Sequence, residues 1–156
     1  MKYVSMLAAL LVSFLVVPLA AQTEKPADNM NIVREALRAN KKALVADNMQ
    51  LTESEATAFW PVYEEYQKEM TAIGDRTVKL IQDYAATYEK MTDAAAGKLL
   101  KEMMSIQGDR AKVQEKYLPK FEKVLPMTKV ACFYQIENKI RAVVDYDLAS
   151  QIPLVE

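Results

Sequence analysis

From residue 56 to residue 91, apolar and aromatic side chains return every three or four positions. The series is Ala56, Phe59, Tyr63, Tyr66, Met70, Ile73, Ile81, Tyr84, Tyr88 and Met91, with Thr77 in step between Ile73 and Ile81. Such steps place side chains on one stripe of an α-helix, and a near-heptad repeat this long makes a helix that needs a partner along its length. Its start lies just upstream, in Leu51-Thr52-Glu53-Ser54-Glu55. Threonine followed three residues later by glutamate is the capping-box pattern, in which each side chain bonds the other residue's backbone N–H. A helix is therefore expected over 53–90. Pro61 within it cannot donate to the Thr57 carbonyl, which predicts a kink beside Phe59 and Trp60.

The flanking sequence has the same helical period. Asp28 or Asn29 can cap an earlier helix running to about Asp47, with Ile32, Val33, Ala36, Leu37, Leu44 and Val45 on its apolar face. Arg34, Arg38, Lys41 and Lys42 give it a basic outer side, either solvated or turned to an acidic partner or a membrane surface. Thr92-Asp93 caps a third helix, expected from Ala94 to about Val124. One of its stripes holds Leu99, Met103, Ile106, Val113 and Tyr117, and a neighbouring one Leu100, Met104, Ala111, Leu118 and Phe121. Pro119 predicts a bend near its end. Pro126 suits the start of a fourth helix, reaching about Asp147 and burying Val130, Phe133, Ile136, Ile140, Val143 and Val144.

The fold class that follows is all-α: a long antiparallel helical hairpin flanked by two shorter helices. At 1.5 Å per residue the two long helices span about 45–55 Å, more than the shorter ones can cover. An open, partly apolar face is expected, or a second subunit that fills it.

The first 21 residues read as a secretory signal: Lys2, an apolar run from Met6 to Val17, and small residues that place a cut after Ala21. An uncleaved anchor is the alternative. Residues 22–29 form a polar lead-in, 30–148 the helical domain and 149–156 an apolar tail that folds onto its own core or reaches a partner. The expected location is the periplasm. Without Lys2, 19 basic residues face 21 acidic ones, so charge gives no support for a nucleic-acid partner. The sequence has no histidine and one cysteine, Cys132, which is either buried or paired between chains. Nucleophilic catalysis thus lacks its commonest base, and no enzyme activity, metal or cofactor is expected.

Two internal echoes occur. Leu51 precedes Phe59 by eight residues, as Leu125 precedes Phe133, and Gly74-Asp75-Arg76 returns as Gly108-Asp109-Arg110. The glycines suggest close helix contact or local flexibility. The first echo resembles the paired LTxxQ motifs of Spy/CpxP-type periplasmic stress proteins. Here the first copy is Leu51-Thr52-Glu53-Ser54-Glu55, with glutamate for glutamine. The second is Leu125-Pro126-Met127-Thr128-Lys129, with proline for threonine and lysine for glutamine. The resemblance implies an all-helical, cradle-shaped homodimer. It also implies ATP-independent binding of unfolded or misfolded periplasmic proteins, or modulation of a sensor kinase through its ectodomain.

Flexible thioethers and amphipathic phenols adapt to varied apolar shapes. Tyr63, Tyr66, Met70, Tyr84, Tyr88, Met103 and Tyr117 are thus the candidate client contacts, the alternative being that they pack one long helix against the other. The distinct C-terminal segment leaves open a second reading, a module that binds one defined partner.

Overall fold

The computed structural model describes residues 39–155, which are helical with short connections and contain no strand. Helix α1 includes residues 39–49, and the remaining helices are α2 (Glu53–Thr87), α3 (Asp93–Glu122) and α4 (Met127–Gln151). A short 3-10 turn, Tyr88–Lys90, follows α2. The all-α class is as expected. The signal segment, the lead-in, and Ile32, Val33, Arg34, Ala36, Leu37 and Arg38 lie outside the described residues.

Local chemistry sets the boundaries. Both halves of the capping box at the start of α2 are formed: the Thr52 N–H donates to Glu55 Oε2 at 2.8 Å, and the Glu55 N–H donates to Thr52 Oγ1 at 3.3 Å. The helix then runs uninterrupted through Pro61. Thr92 caps α3 by accepting from the Ala95 N–H at 3.2 Å. At the other end of α3 the Leu125 N–H returns to the Phe121 carbonyl at 2.9 Å. Pro126 then begins α4, where a missing N–H leaves no helical hydrogen bond unmade.

Ion pairs between α2 and α3 descend one helix as they climb the other: Glu65 with Lys120, Glu69 with Lys116, Arg76 with Asp109 and with Glu102. Contacts of α2 with α4 and the tail that follows it rise together, from Glu55–Lys129 through Gln67–Glu137 to Tyr84–Pro153. α1 lies on the same region, with Lys41 reaching Gln67 and Glu137 and Lys42 reaching Glu64.

The core sits at one end of the long helices. Phe59, Tyr66, Phe121 and Phe133 are fully buried, with Phe121 and Phe133 ring centroids 4.7 Å apart and Phe59 edge-on to Phe133 at 5.4 Å. Val45, Met49, Tyr63, Tyr117, Leu125, Val130 and Ile136 complete the cluster. Farther along α2 and α3, Ile73 and Ile106 are the buried apolar residues among those described.

Several sequence expectations change here. Leu44 is 45% exposed while Met49, expected in a break, is buried. Val143 and Val144 are exposed, because α4 continues to Gln151 beyond the aromatic cluster and nothing described covers that face. Leu100, Met104 and Leu118 are likewise exposed along α3. The tail divides: Ile152 is half-buried, whereas Leu154 is 87% exposed. Gly74 and Gly108 make no close contact, since a Cβ at either would meet open space within 4 Å. No described helix is long and apolar enough to cross a membrane.

Two stability predictions follow from this placement. Phe59→Ala removes a fully buried ring and should cost about 3–5 kcal/mol in urea unfolding. Gly108→Ala should raise stability by about 0.5–1 kcal/mol, because the added methyl meets nothing and the unfolded chain loses freedom.

Candidate functional site

The two Leu–Phe echoes converge at the buried end. Leu125 and both phenylalanines belong to the core cluster, and Leu51 packs against it. The fifth residue of each five-residue motif, Glu55 and Lys129, converges as well. Lys129 Nζ binds Glu55 Oε2, and the same ammonium donates to the Gln50 carbonyl at 3.1 Å. Gln50 has φ 45°, a left-handed conformation at the link between α1 and α2 that a non-glycine residue adopts at a cost. Lys129 therefore ties α4 to the α2 cap and to this link. The last residues of the two similar five-residue stretches, Glu55 and Lys129, are each other's partners.

This pairing fixes the charge state of Glu55. The Lys129 ammonium, followed by the Thr52 backbone N–H, holds its carboxyl below the ordinary glutamate value of 4.5. Glu69 is lowered in the same way by Lys116 and then by the Tyr117 hydroxyl, and Asp109 by Arg76 and then by Lys112.

The proposed client contacts divide by position along the helices. Tyr63, Tyr66 and Tyr117 are buried in the aromatic cluster and present no face to a client in this conformation. The core closes around them because α1, α3 and α4 all reach that stretch of α2. Met70 is half-buried against the same cluster. Tyr84 and Tyr88 stand at the other end, with rings tilted and centroids 5.6 Å apart, and Tyr84 Oη donates to the Pro153 carbonyl at 2.7 Å. Met103 is 41% exposed and lies with Leu100 and Met104 on α3. The seven residues thus do not form one surface.

A polar group that the sequence reading did not select lies within the core. Glu137 is 5% exposed and accepts from Lys41 Nζ at 2.9 Å and Gln67 Nε2 at 3.1 Å. Lys41, expected on a solvated face, is thereby turned inward to pair with it. Glu137 is the fourth residue after Phe133, so its place on the buried stripe was written in the spacing. Close by, Tyr66 Oη is buried with no hydrogen bond within the usual distance and angle limits among the described residues, and burial followed by the Glu137 charge raises its pKa well above the phenol range. The same two causes, in that order, push Tyr134 up to about 12, and its hydroxyl donates to the Gln114 carbonyl at 2.8 Å.

Cys132 is a free thiol, half-buried against the cluster. Among the described residues no group of three or more histidine, cysteine, aspartate or glutamate side chains is placed to hold a metal ion. Comparison with family models, with curated proteins and with solved structures finds no match. The described residues combine a sealed aromatic end with exposed methionine, leucine and valine beyond it.

The Glu55–Lys129 pair gives a pH test. A carboxyl whose folded pKa is depressed stabilises the fold above its unfolded pKa, and that contribution is lost as pH falls through the folded value. Melting temperature should therefore hold near neutral pH and decline below about pH 4.5. Glu55→Gln should lower it at pH 7 and flatten part of that decline. Combining Glu55→Gln with Lys129→Gln should recover more stability than independent effects allow, as read in a double-mutant cycle of melts.

Proposed function

We propose that this chain is a periplasmic, ATP-independent holding chaperone or envelope-stress protein of Spy/CpxP type. In this reading α2 and α3 form a long antiparallel hairpin, the functional unit is a cradle-like homodimer, and the signal segment directs export. The observation that carries the reading is the exposed apolar surface away from the core. Leu100, Met103 and Met104 lie exposed on α3, and Val143, Val144 and Tyr146 on the outer part of α4. Exposed apolar area of this kind is costly to keep unless it binds something, and methionine suits partners of varied shape. The reverse order of ion pairs between α2 and α3 supports the hairpin. The Glu55–Lys129 contact supports the motif resemblance, since the two altered positions compensate each other's charge.

The mechanism needs no catalytic group. An unfolded client presents apolar segments, the exposed methionine and leucine side chains cover them, and release follows when the client buries those segments in its own core. The contact is weak enough to reverse because it is apolar and undirected.

A second reading is favoured by the tail. Leu154 and Val155 project into solvent beyond the Tyr84–Pro153 contact, as a peptide anchor for one defined partner such as a sensor-kinase ectodomain would. Truncation after Gln151 separates the two readings, because it should abolish capture of that ectodomain and leave general client holding intact.

The deciding experiment is light scattering of an aggregating reduced client, without ATP. Near-stoichiometric protein should suppress scattering, and Met103→Asp with Met104→Asp should remove most of that suppression while leaving the melt little changed. No suppression by the parent protein, with a normal melt, would overturn the holding reading.

A further inference from the structure

The outer parts of α2 and α3 leave between them a groove of about 830 Å³, lined by residues from Arg76 to Thr87 on one helix and Ala95 to Ser105 on the other. This size is ample for a small-molecule ligand. Leu80 and Leu99, both half-buried, give it an apolar lining, and the small side chains of Ala86 and Ala95 leave room beside them.

The charges around the groove are unevenly used. Arg76 is held by Glu102 at 2.9 Å, by Asp109 at 2.7 Å and by Ser105 at 3.0 Å. Lys79 is held by Asp83 at 2.8 Å, and the Thr87 hydroxyl donates to the carbonyls of Asp83 and Tyr84. Lys98 and Lys101, one turn apart on α3, are exposed and take no hydrogen bond or ion pair among the described residues. The lining carries four cations, Arg76, Lys79, Lys98 and Lys101, against the two anions Asp83 and Glu102, a net of +2.

These features select the occupant. An extended peptide would bring a donor and an acceptor at nearly every residue, each costly to bury unpaired. Ser105, Thr87 and Glu102 are already engaged, so the groove has little to offer such a backbone. An acyl chain brings no polar group along its length, and a terminal carboxylate matches two free ammonium groups. We propose that this groove binds a long-chain fatty carboxylate, with the chain along Leu80 and Leu99 and the carboxylate at Lys98 and Lys101. The site is separate from client holding and does not depend on it.

Fluorescence titration of the purified chain with cis-parinaric acid, followed by displacement with oleate, tests this. Oleate should displace the probe saturably at one site per chain. Oleyl alcohol, the same chain without charge, should compete about tenfold less well, and Lys98→Ala with Lys101→Ala should weaken oleate by about tenfold while changing the alcohol little. Both lysines are exposed, so this variant keeps its fold, as a melt will verify. Ala86→Leu fills the groove from an already exposed position and should weaken oleate and alcohol alike. Failure of oleate to displace the probe, equal competition by oleate and alcohol, or an unchanged lysine variant would each overturn the proposal. So would displacement by an acidic helical peptide and not by oleate, which would give the groove to a protein partner.

Discussion

The packing of Phe59, Tyr66, Phe121 and Phe133 at one end of the long helices is the contact on which the rest of the molecule depends. Each of α2, α3 and α4 contributes at least one of these rings, and α1 closes the cluster with Val45 and Met49. The rings meet edge-on or tilted, the arrangement their quadrupoles favour. The hydrophobic stabilisation is concentrated here, and two of the three connections between helices are anchored to it. The α1–α2 link is held by Lys129, and the α3–α4 link by the Phe121 carbonyl. Beyond this end, the ion pairs that join α2 to α3 among the described residues are those of Arg76 with Glu102 and Asp109, which are open to solvent and hold the helices only weakly. Local stability should therefore fall along the long helices from the aromatic end outward.

How much of this was legible in the sequence depends on whether the cause was local. The capping box at Thr52 and Glu55 and the stop at Pro126 rest on neighbouring residues, and the helix boundaries fell within a few positions of those expected. Burial is different, because it needs a second element. Tyr63, Tyr66, Tyr84 and Tyr88 fall on one stripe of the sequence period, yet the first two are sealed while Tyr84 in α2 and Tyr88 in the turn after it stand half-buried. Periodicity says which side a residue takes, and only the ends of the other helices say whether that side is covered. Val143 and Val144 failed for the same reason, as did Leu44. Met49 was missed because α1 runs two residues past the expected stop.

Glu137 shows the converse error. This carboxylate was not singled out as buried, although its spacing from Phe133 places it inward. It is tolerated because Lys41 and Gln67 both donate to it; removing either would leave a buried acceptor short of a partner, which is more costly than never having placed one there. The consequence is directional. An apolar cluster of phenylalanines holds helices together without specifying their rotation, whereas a buried carboxylate bonded by α1 and α2 fixes where both must lie relative to α4.

The Gly-Asp-Arg echo takes its meaning from the same distinction between attraction and register. Read as a site of close helix approach, it places glycine in the leading role, yet neither glycine has a neighbour there. The arginine and aspartate are what meet: Arg76 from the first copy binds Asp109 from the second and also Glu102, which lies about two turns earlier on α3. A guanidinium gripped by two carboxylates has its charge reinforced, first by Glu102 and then by Asp109, and its planar fork tolerates little sliding. Arg76 therefore aligns α2 and α3 at the border where the aromatic core has ended and only Ile73 and Ile106 remain buried nearby. Past that border the helices need not close tightly to stay in register, and the groove between Leu80 and Leu99 can remain open.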